Sequence, residues 1–348
     1  MMSFPPKYLS RKTTALPVHG DRSIRSGLSG LMAFAAGGFV YTADEHGNSI
    51  SAIDLAVGSV ATVPIPMSPH NVQITADGMR LLAVGEPAAE GHKHGHSGGA
   101  HGGDETKGRL LVLDARRLAN GVVGEIIVGA HPAHVVVDQS GERAFVTNAG
   151  DNTVSVVNLA AKKVIATIGT GRYPHGLRMS PDGREVYVAN VEDGTISVID
   201  ARSLTELARI PVGNTPVQVG FTPDGRSVYV SLRDENQVAV VDTTTRSLIA
   251  TIDAGPNRIQ VHATPDGRFV YVANQGTDSQ PNDTVSVIEV ATSNVVDTVR
   301  TGKGAHGVAV SSDGALVFVT NIVDDTVSAI DTATRKVIAE FSVGRGPN

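Results

Sequence analysis

Hydrophobic and polar residues alternate with a period of two in short bursts along most of the chain, and the bursts recur in the same order. One copy runs through Leu177 to Ser180-Pro181-Asp182-Gly183, then Val186-Tyr187-Val188-Ala189-Asn190, then Thr195-Ile196-Ser197-Val198-Ile199-Asp200, then Leu207-Ala208-Arg209-Ile210. A period of two puts alternate side chains on opposite faces of an extended backbone, so each burst predicts one strand. Asp-Gly or a similar pair separates the first burst from the second, where a tight turn needs positive φ, and no helical run intervenes.

The spacing of these turns predicts the architecture. Gly37-Gly38, Asp77-Gly78, Ser140-Gly141, Asp182-Gly183, Asp224-Gly225, Asp266-Gly267 and Asp313-Gly314 mark seven copies, with a typical period of about 42 residues. A four-stranded unit of that length cannot bury both faces alone, whereas copies stacked around an axis can. The expectation is an all-β chain, a seven-bladed β-propeller with four antiparallel strands per blade, over residues 28–348. Residues 1–27 read as an N-terminal segment in which 10–20 resembles an outer strand that closes the ring, a role open equally to 334–344. The second and sixth copies are longer than the rest, through insertions at 86–108 and 275–283.

Four second-strand phrases, Phe145-Val146-Thr147-Asn148, Tyr187-Val188-Ala189-Asn190, Tyr271-Val272-Ala273-Asn274 and Phe318-Val319-Thr320-Asn321, each precede a Thr-Val-Ser-Val-like strand. In these the chain resembles the YVTN-type seven-bladed β-propellers, over nearly its whole length. The resemblance implies the fold. It implies no single activity, because that family and its relatives span surface proteins, nucleic-acid binders and lactonase-like enzymes.

Charge and composition narrow the partners. A formal net charge of −6 with no concentrated basic stretch argues against a nucleic-acid partner. No apolar run is long enough for a membrane span, and the absence of cysteine removes disulfides, thiolate metal sites and thiol nucleophiles. Met1-Met2-Ser3-Phe4 reads as a cytoplasmic start, with a periplasmic or secreted location if a signal was removed. Blades that close on one another lead to the expectation of a monomer.

The candidate chemistry lies where the copies differ. In a propeller the first strand of each blade lines the central channel, and its beginning shares one face with the loops joining second to third strands. Alignment puts His70, Ala133, His175, Val217, Ile259 and His306 at the opening position of that strand. Asn71, His134, Gly176, Gln218, Gln260 and Gly307 follow; two residues further come Gln73, Val136, Arg178, Gly220, His262 and Ala309. Polar groups crowded near an axis need water, a metal or a polar ligand as partner.

His70, His134, His175 and His306 are therefore axial candidates for a divalent transition metal, copper, iron or zinc, because neutral imidazole ligates all three. The alternative reading is that such histidines only hydrogen-bond a neighbouring loop. His92, His94, His96 and His101 alternate with glycine in the second-blade insertion, a pattern that suits loose multidentate capture of metal or a polar loop without chemistry. Asn71, Gln73, Gln218, Gln260 and His262 are candidate substrate contacts, and Arg178, Arg233 and Arg258 offer paired donors to a carboxylate. His175 with Arg178 on one strand is the candidate catalytic pair.

No nucleophile elbow, phosphate loop or dinucleotide fingerprint is present, so an enzyme here would depend on a metal or on histidine acid/base chemistry. The expected function is binding of a metal ion, a small polar molecule or a peptide at the channel mouth, with metal-dependent or histidine acid/base catalysis on a small molecule left open. The alternatives are a non-catalytic interaction scaffold and a metal-handling protein that uses the His-Gly loop.

Overall fold

The computed structural model describes residues 38–88 and 107–348. It is a seven-bladed β-propeller. Blade 4 shows the repeating unit: an inner strand (Pro174–Met179), a second (Glu185–Asn190), a third (Thr195–Asp200) and an outer strand (Thr205–Pro211), hydrogen-bonded in that order. Blades 2 to 7 are all four-stranded antiparallel sheets of this kind, and blade 1 has three strands among the described residues (Phe39–Asp44, Ser49–Asp54, Ser59–Pro64). The inner strand expected for blade 1 and the segment 1–27 lie outside the described residues.

Turn chemistry explains the first hairpin of the repeat, as blade 5 shows. In blade 5 the Thr222 hydroxyl donates to Asp224 Oδ1 (2.6 Å), Arg226 N–H donates to the same oxygen (3.1 Å), and Gly225 takes φ +72°. A short acid that accepts from its own turn, followed by glycine, holds the positive-φ corner that a bulkier residue would strain.

The asparagine closing each second-strand phrase has an equally local reason. Asn190 is buried and its Nδ2 donates to Thr195 Oγ1 (3.0 Å) and Ser197 Oγ (2.9 Å), clasping the second strand to the third. Asn148, Asn274 and Asn321 repeat the clasp in blades 3, 6 and 7. Blade 1 substitutes Asp44, which accepts from the hydroxyls of Thr42, Ser49 and Ser51. Burial raises the pKa of this carboxyl, against those three hydrogen bonds, which lower it.

The core lies between blades. Tyr187 and Val198 of blade 4 pack with Val219, Val228 and Val241 of blade 5, all essentially inaccessible to solvent, and each neighbouring pair repeats such a cluster. At the closure, Ile53 of blade 1 packs with Phe318, Val327 and Phe341 of blade 7. The outer strand of blade 7 is Lys336–Ser342, from which the chain runs back to blade 1. There Pro347 bridges Asp44, Asn348 N–H donates to the Ala43 carbonyl (2.7 Å), and Glu45 N–H donates to that of Gly346 (2.9 Å).

The longer sixth blade needs no separate structure. Its second strand (Phe269–Thr277) and third strand (Gln280–Glu289) extend into a two-residue hairpin turn. Among the described residues no helix is long and apolar enough to cross a membrane.

Candidate metal centre at the channel mouth

Each complete inner strand begins with an irregularity that decides which side chains face the axis. In blade 4 Pro174 pairs with Asn190 and Leu177 with Val188, and the register breaks between them. Blades 2, 3, 5, 6 and 7 break at the same place. A bulge frees consecutive residues from strict up-down alternation, so the opening position and the one after it both reach the mouth.

That geometry gathers His70 from blade 2, His134 from blade 3 and His175 from blade 4. Among the described residues they form the one group of three potential ligands whose ligand atoms all lie within 4.8 Å of one another. The rings meet edge to face, with centroids 5.6 Å (His70–His134), 5.2 Å (His70–His175) and 4.9 Å (His134–His175) apart. His70 Nε2 and His175 Nε2 are 3.2 Å apart. Thr147 ties the second and third of these strands together: its hydroxyl donates to the His175 carbonyl (2.6 Å) and accepts the His134 N–H (2.9 Å).

The far side of each ring is also held. His175 Nδ1 faces the Val217 carbonyl at 3.2 Å, which puts the proton on Nδ1 and leaves the Nε2 lone pair toward the cluster. His70 Nδ1 faces Glu45 Oε2 at 3.5 Å, and Glu45 is itself anchored by Asn348 Nδ2 (2.6 Å). His134 is 1% exposed; its Nδ1 is 3.4 Å from Gln218 Nε2 and its Nε2 is buried without a partner.

Electrostatics separate the three. Burial, and then the charge of its histidine neighbours, holds His134 well below the ordinary imidazole range. His175 is pushed down to about 3 by burial and by His70. At His70 burial also pulls downward, but the charge and hydrogen bond of Glu45 outweigh it and the pKa is raised. Glu45 falls to about 2, because the field of His70 overcomes the upward pull of burial. Of the three rings His70 is thus the one whose protonated form the surroundings favour, and its Nε2 faces the lone pair of His175 Nε2.

The other expected residues distribute around this centre. His306 stands outside the 4.8 Å group but near enough to feel the charge of His70; it is 7% exposed and its Nδ1 has no partner. Gln218 and Gln260 are buried and bond each other (2.9 Å). Asn71 Oδ1 accepts the Val135 N–H (3.2 Å), joining blades 2 and 3, while Gln73 Nε2 donates to the Ile74 carbonyl (3.0 Å). Arg233 pairs with Asp234 (2.9 Å) in a shallow groove of about 500 Å³ between blades 4 and 5, a surface feature whose cations already have acidic neighbours. Arg258 opens an inner strand opposite Asn274, but its side chain, like His92, His94, His96 and His101, lies outside the described residues.

Nothing in the alternation or the aligned inner-strand positions joins Glu45 to His70. The signal was present: the position after the clasp holds Ala149, Val191 and Ile322 in blades 3, 4 and 7, and an acid in blade 1. The partner carbonyl of Val217 left no trace in residue types, because a backbone group has none.

A closed β-propeller carrying a three-imidazole cluster on one mouth is the class these observations define. Two family models match parts of the chain: a YNCE-like beta-propeller over residues 120–226 and the Cytochrome D1 heme domain over residues 227–346. A search of the curated proteins finds no match. Among solved structures the chain is similar to Kuenenia stuttgartiensis hydrazine synthase, at 22% identity and a TM-score of 0.68, covering 82% of this chain and 89% of that one. A functionally unknown protein from Desulfotomaculum acetoxidans matches at 16% identity and a TM-score of 0.72, over 89% and 98%. The dihydro-heme d1 dehydrogenase NirN matches at 13% identity and a TM-score of 0.62, over 89% and 74%. At these identities the likeness is one of fold.

Proposed function

We propose that the protein holds one divalent transition-metal ion, zinc or copper, on His70, His134 and His175, and offers its open coordination position to a small polar molecule entering the channel. The observation that carries this reading is the 3.2 Å approach of His70 Nε2 to His175 Nε2. Two imidazole nitrogens bound to one tetrahedral zinc at 2.0–2.1 Å lie about 3.3 Å apart. Glu45 behind His70 and the Val217 carbonyl behind His175 supply the outer hydrogen bonds that orient ligating histidines and raise their basicity.

The donor set bears on the metal. Three imidazoles with a fourth position open suit zinc or copper; non-haem iron more often takes a carboxylate among its ligands, and Glu45 faces the outer nitrogen of His70 rather than the cluster. When bound, the ion would supply Lewis acidity or an activated water. The chain's part is to hold His175 neutral, to orient His70 through Glu45 and to exclude bulk water from the His134 side.

The match of residues 227–346 to the Cytochrome D1 heme domain supports a second reading, in which the mouth receives a haem. His306 lies in that stretch, and its buried, unpartnered Nδ1 would be the group to hold the haem iron. A haem iron already has four nitrogens of its own and would need few from the protein. Three rings converging within 5.6 Å from consecutive blades fit a lone ion better.

Elemental analysis and zinc or copper titration of the untagged protein test the reading. About one ion per chain that survives deletion of residues 90–104 but not the His70→Ala/His175→Ala double substitution is the expected result. Binding lost with the loop and kept in the double variant would move the function to the His-Gly insertion. An intense Soret band after addition of haem, abolished by His306→Ala, would favour the second reading.

A further inference from the structure

Arg178 is a cation without an acid. It sits on the inner strand of blade 4, partly buried, and its hydrogen bond runs from Nη1 to the carbonyl of its own neighbour Leu177 (3.1 Å). Among the described residues no carboxylate comes within 4.0 Å of it, whereas Arg143, Arg172, Arg233 and Arg246 each pair with an Asp or Glu. A guanidinium has five N–H donors, and leaving most of them unmatched in a partly dry site is costly. Burial alone pulls Arg178 down to about 10, with no acidic neighbour pulling it back.

Arg178, Gly220 and His262 occupy the same position in blades 4, 5 and 6. The middle member contributes no side chain, and Val261 packs against its backbone, 3.0 Å from where a Cβ would stand, so Arg178 and His262 are the polar side chains at that level. The charge of Arg178 reaches both His134 in the metal cluster above and His262. His262 Nδ1 faces the Val308 carbonyl (3.2 Å), leaving Nε2 free for another partner.

We propose that the channel beneath the three-histidine cluster binds a small monoanion with paired oxygens, a carboxylate or an oxyanion of that shape, held by the fork of the Arg178 guanidinium with His262 at the same level. A planar guanidinium matches two coplanar oxygens. One fixed cation balances one negative charge, so a phosphate dianion would leave an unneutralised charge in the channel. The inference deepens the metal reading by naming the class of molecule brought beneath the ion, but it stands on the surroundings of Arg178 and is tested without metal.

The probe is sodium formate against sodium chloride at constant ionic strength, read by ¹³C-formate line broadening and by the thermal unfolding midpoint of metal-free protein. Wild type is expected to show saturable formate binding that chloride does not reproduce, and Arg178→Leu to weaken it about ten- to hundredfold. Without anion, Arg178→Leu is expected to be at least as stable as wild type, since it removes an unpaired cation. Saturable formate binding retained in Arg178→Leu, or absent from wild type, overturns the proposal; so does a marked loss of stability in Arg178→Leu without anion, which would make the arginine structural. His175→Val separates the two readings: it should lose the metal and keep the formate response.

Discussion

The two sides of the channel mouth share one backbone and differ in a single layer of side chains. Blades 2 to 4 bring His70, His134 and His175 together with ring nitrogens facing one another; blades 5 and 6 carry Val217-Gln218 and Ile259-Gln260 at the same two positions. On the glutamine side the amides satisfy each other, Gln218 Nε2 to Gln260 Oε1 at 2.9 Å, and Gln218 Oε1 accepts the Val219 N–H. On the histidine side the set is complete only with a shared proton or an ion. A buried polar layer that closes on itself is structural, and one left with converging, incompletely partnered ring nitrogens is a candidate binding site.

The sharpest way to break the contrast is to make one side resemble the other. His175→Val gives blade 4 the residue that blade 5 already carries, so the propeller should fold while metal affinity drops at least a thousandfold, measured by competition with a chromogenic chelator. The same variant has a stability signature. The pKa of His175 is held to about 3, below the ~6.5 of an unfolded histidine. Its contribution is therefore present above pH 6.5 and is lost as pH falls toward 3. Denaturant midpoints from pH 4 to 7 should be flatter in His175→Val than in wild type.

Glu45 is expected to have the next largest effect. Because Glu45 raises the pKa of His70, protons compete with metal at that ring up to a higher pH than at an ordinary histidine. Wild-type affinity should fall as pH drops through the raised pKa. In Glu45→Gln the fall should begin at lower pH, while affinity at pH 8 is about ten- to hundredfold weaker through loss of the outer hydrogen bond. Parallel pH profiles in the two proteins would show that Glu45 does not govern His70.

These two variants also mark what could be read from residues alone. The period-two bursts and Asp-Gly turns made the blades legible because strand and turn are local consequences of local residues, as the Thr222–Asp224 turn shows. His70, His134, His175 and His306 were legible as axial candidates because each stands at one of the first two aligned positions of an inner strand. That His134, one residue later in its blade, joins His70 and His175 while His306, at the aligned position, stands apart was not legible. It follows from the bulge that turns consecutive residues to the axis and from the adjacency of blades 2 to 4, neither of which residue types encode. The Asp44 clasp went unread because its partners come together only when the strands pair.

Gln218 sits where the two sides touch, and a smaller effect is expected there. Gln218→Leu leaves Gln260 Oε1 without its donor and should cost about 1–3 kcal/mol of stability. It also removes the 3.4 Å contact to His134 Nδ1, but metal affinity should change less than tenfold. A collapse of metal binding would mean that the glutamine layer positions the cluster, and the two sides would have to be described as one site.

The smallest effect is expected in the clasp, where the same contrast recurs between blade 1 and blades 3, 4, 6 and 7: one position, Asp44 in place of asparagine. Burial raises the pKa of Asp44 above that of an unfolded aspartate. The stability linked to its protonated form is therefore full below the unfolded pKa and is lost as pH rises through the folded one. Asp44→Asn keeps the shape and removes the ionisation. It should stabilise the propeller by about 1 kcal/mol at pH 7, with the gain shrinking toward pH 4, as followed by denaturant titration at both values. Loss of stability in Asp44→Asn at pH 7 would instead show that the hydroxyls of Thr42, Ser49 and Ser51 are oriented as donors that only a carboxylate can satisfy, so that the charge is what fastens blade 1 where Pro347 and Asn348 meet it.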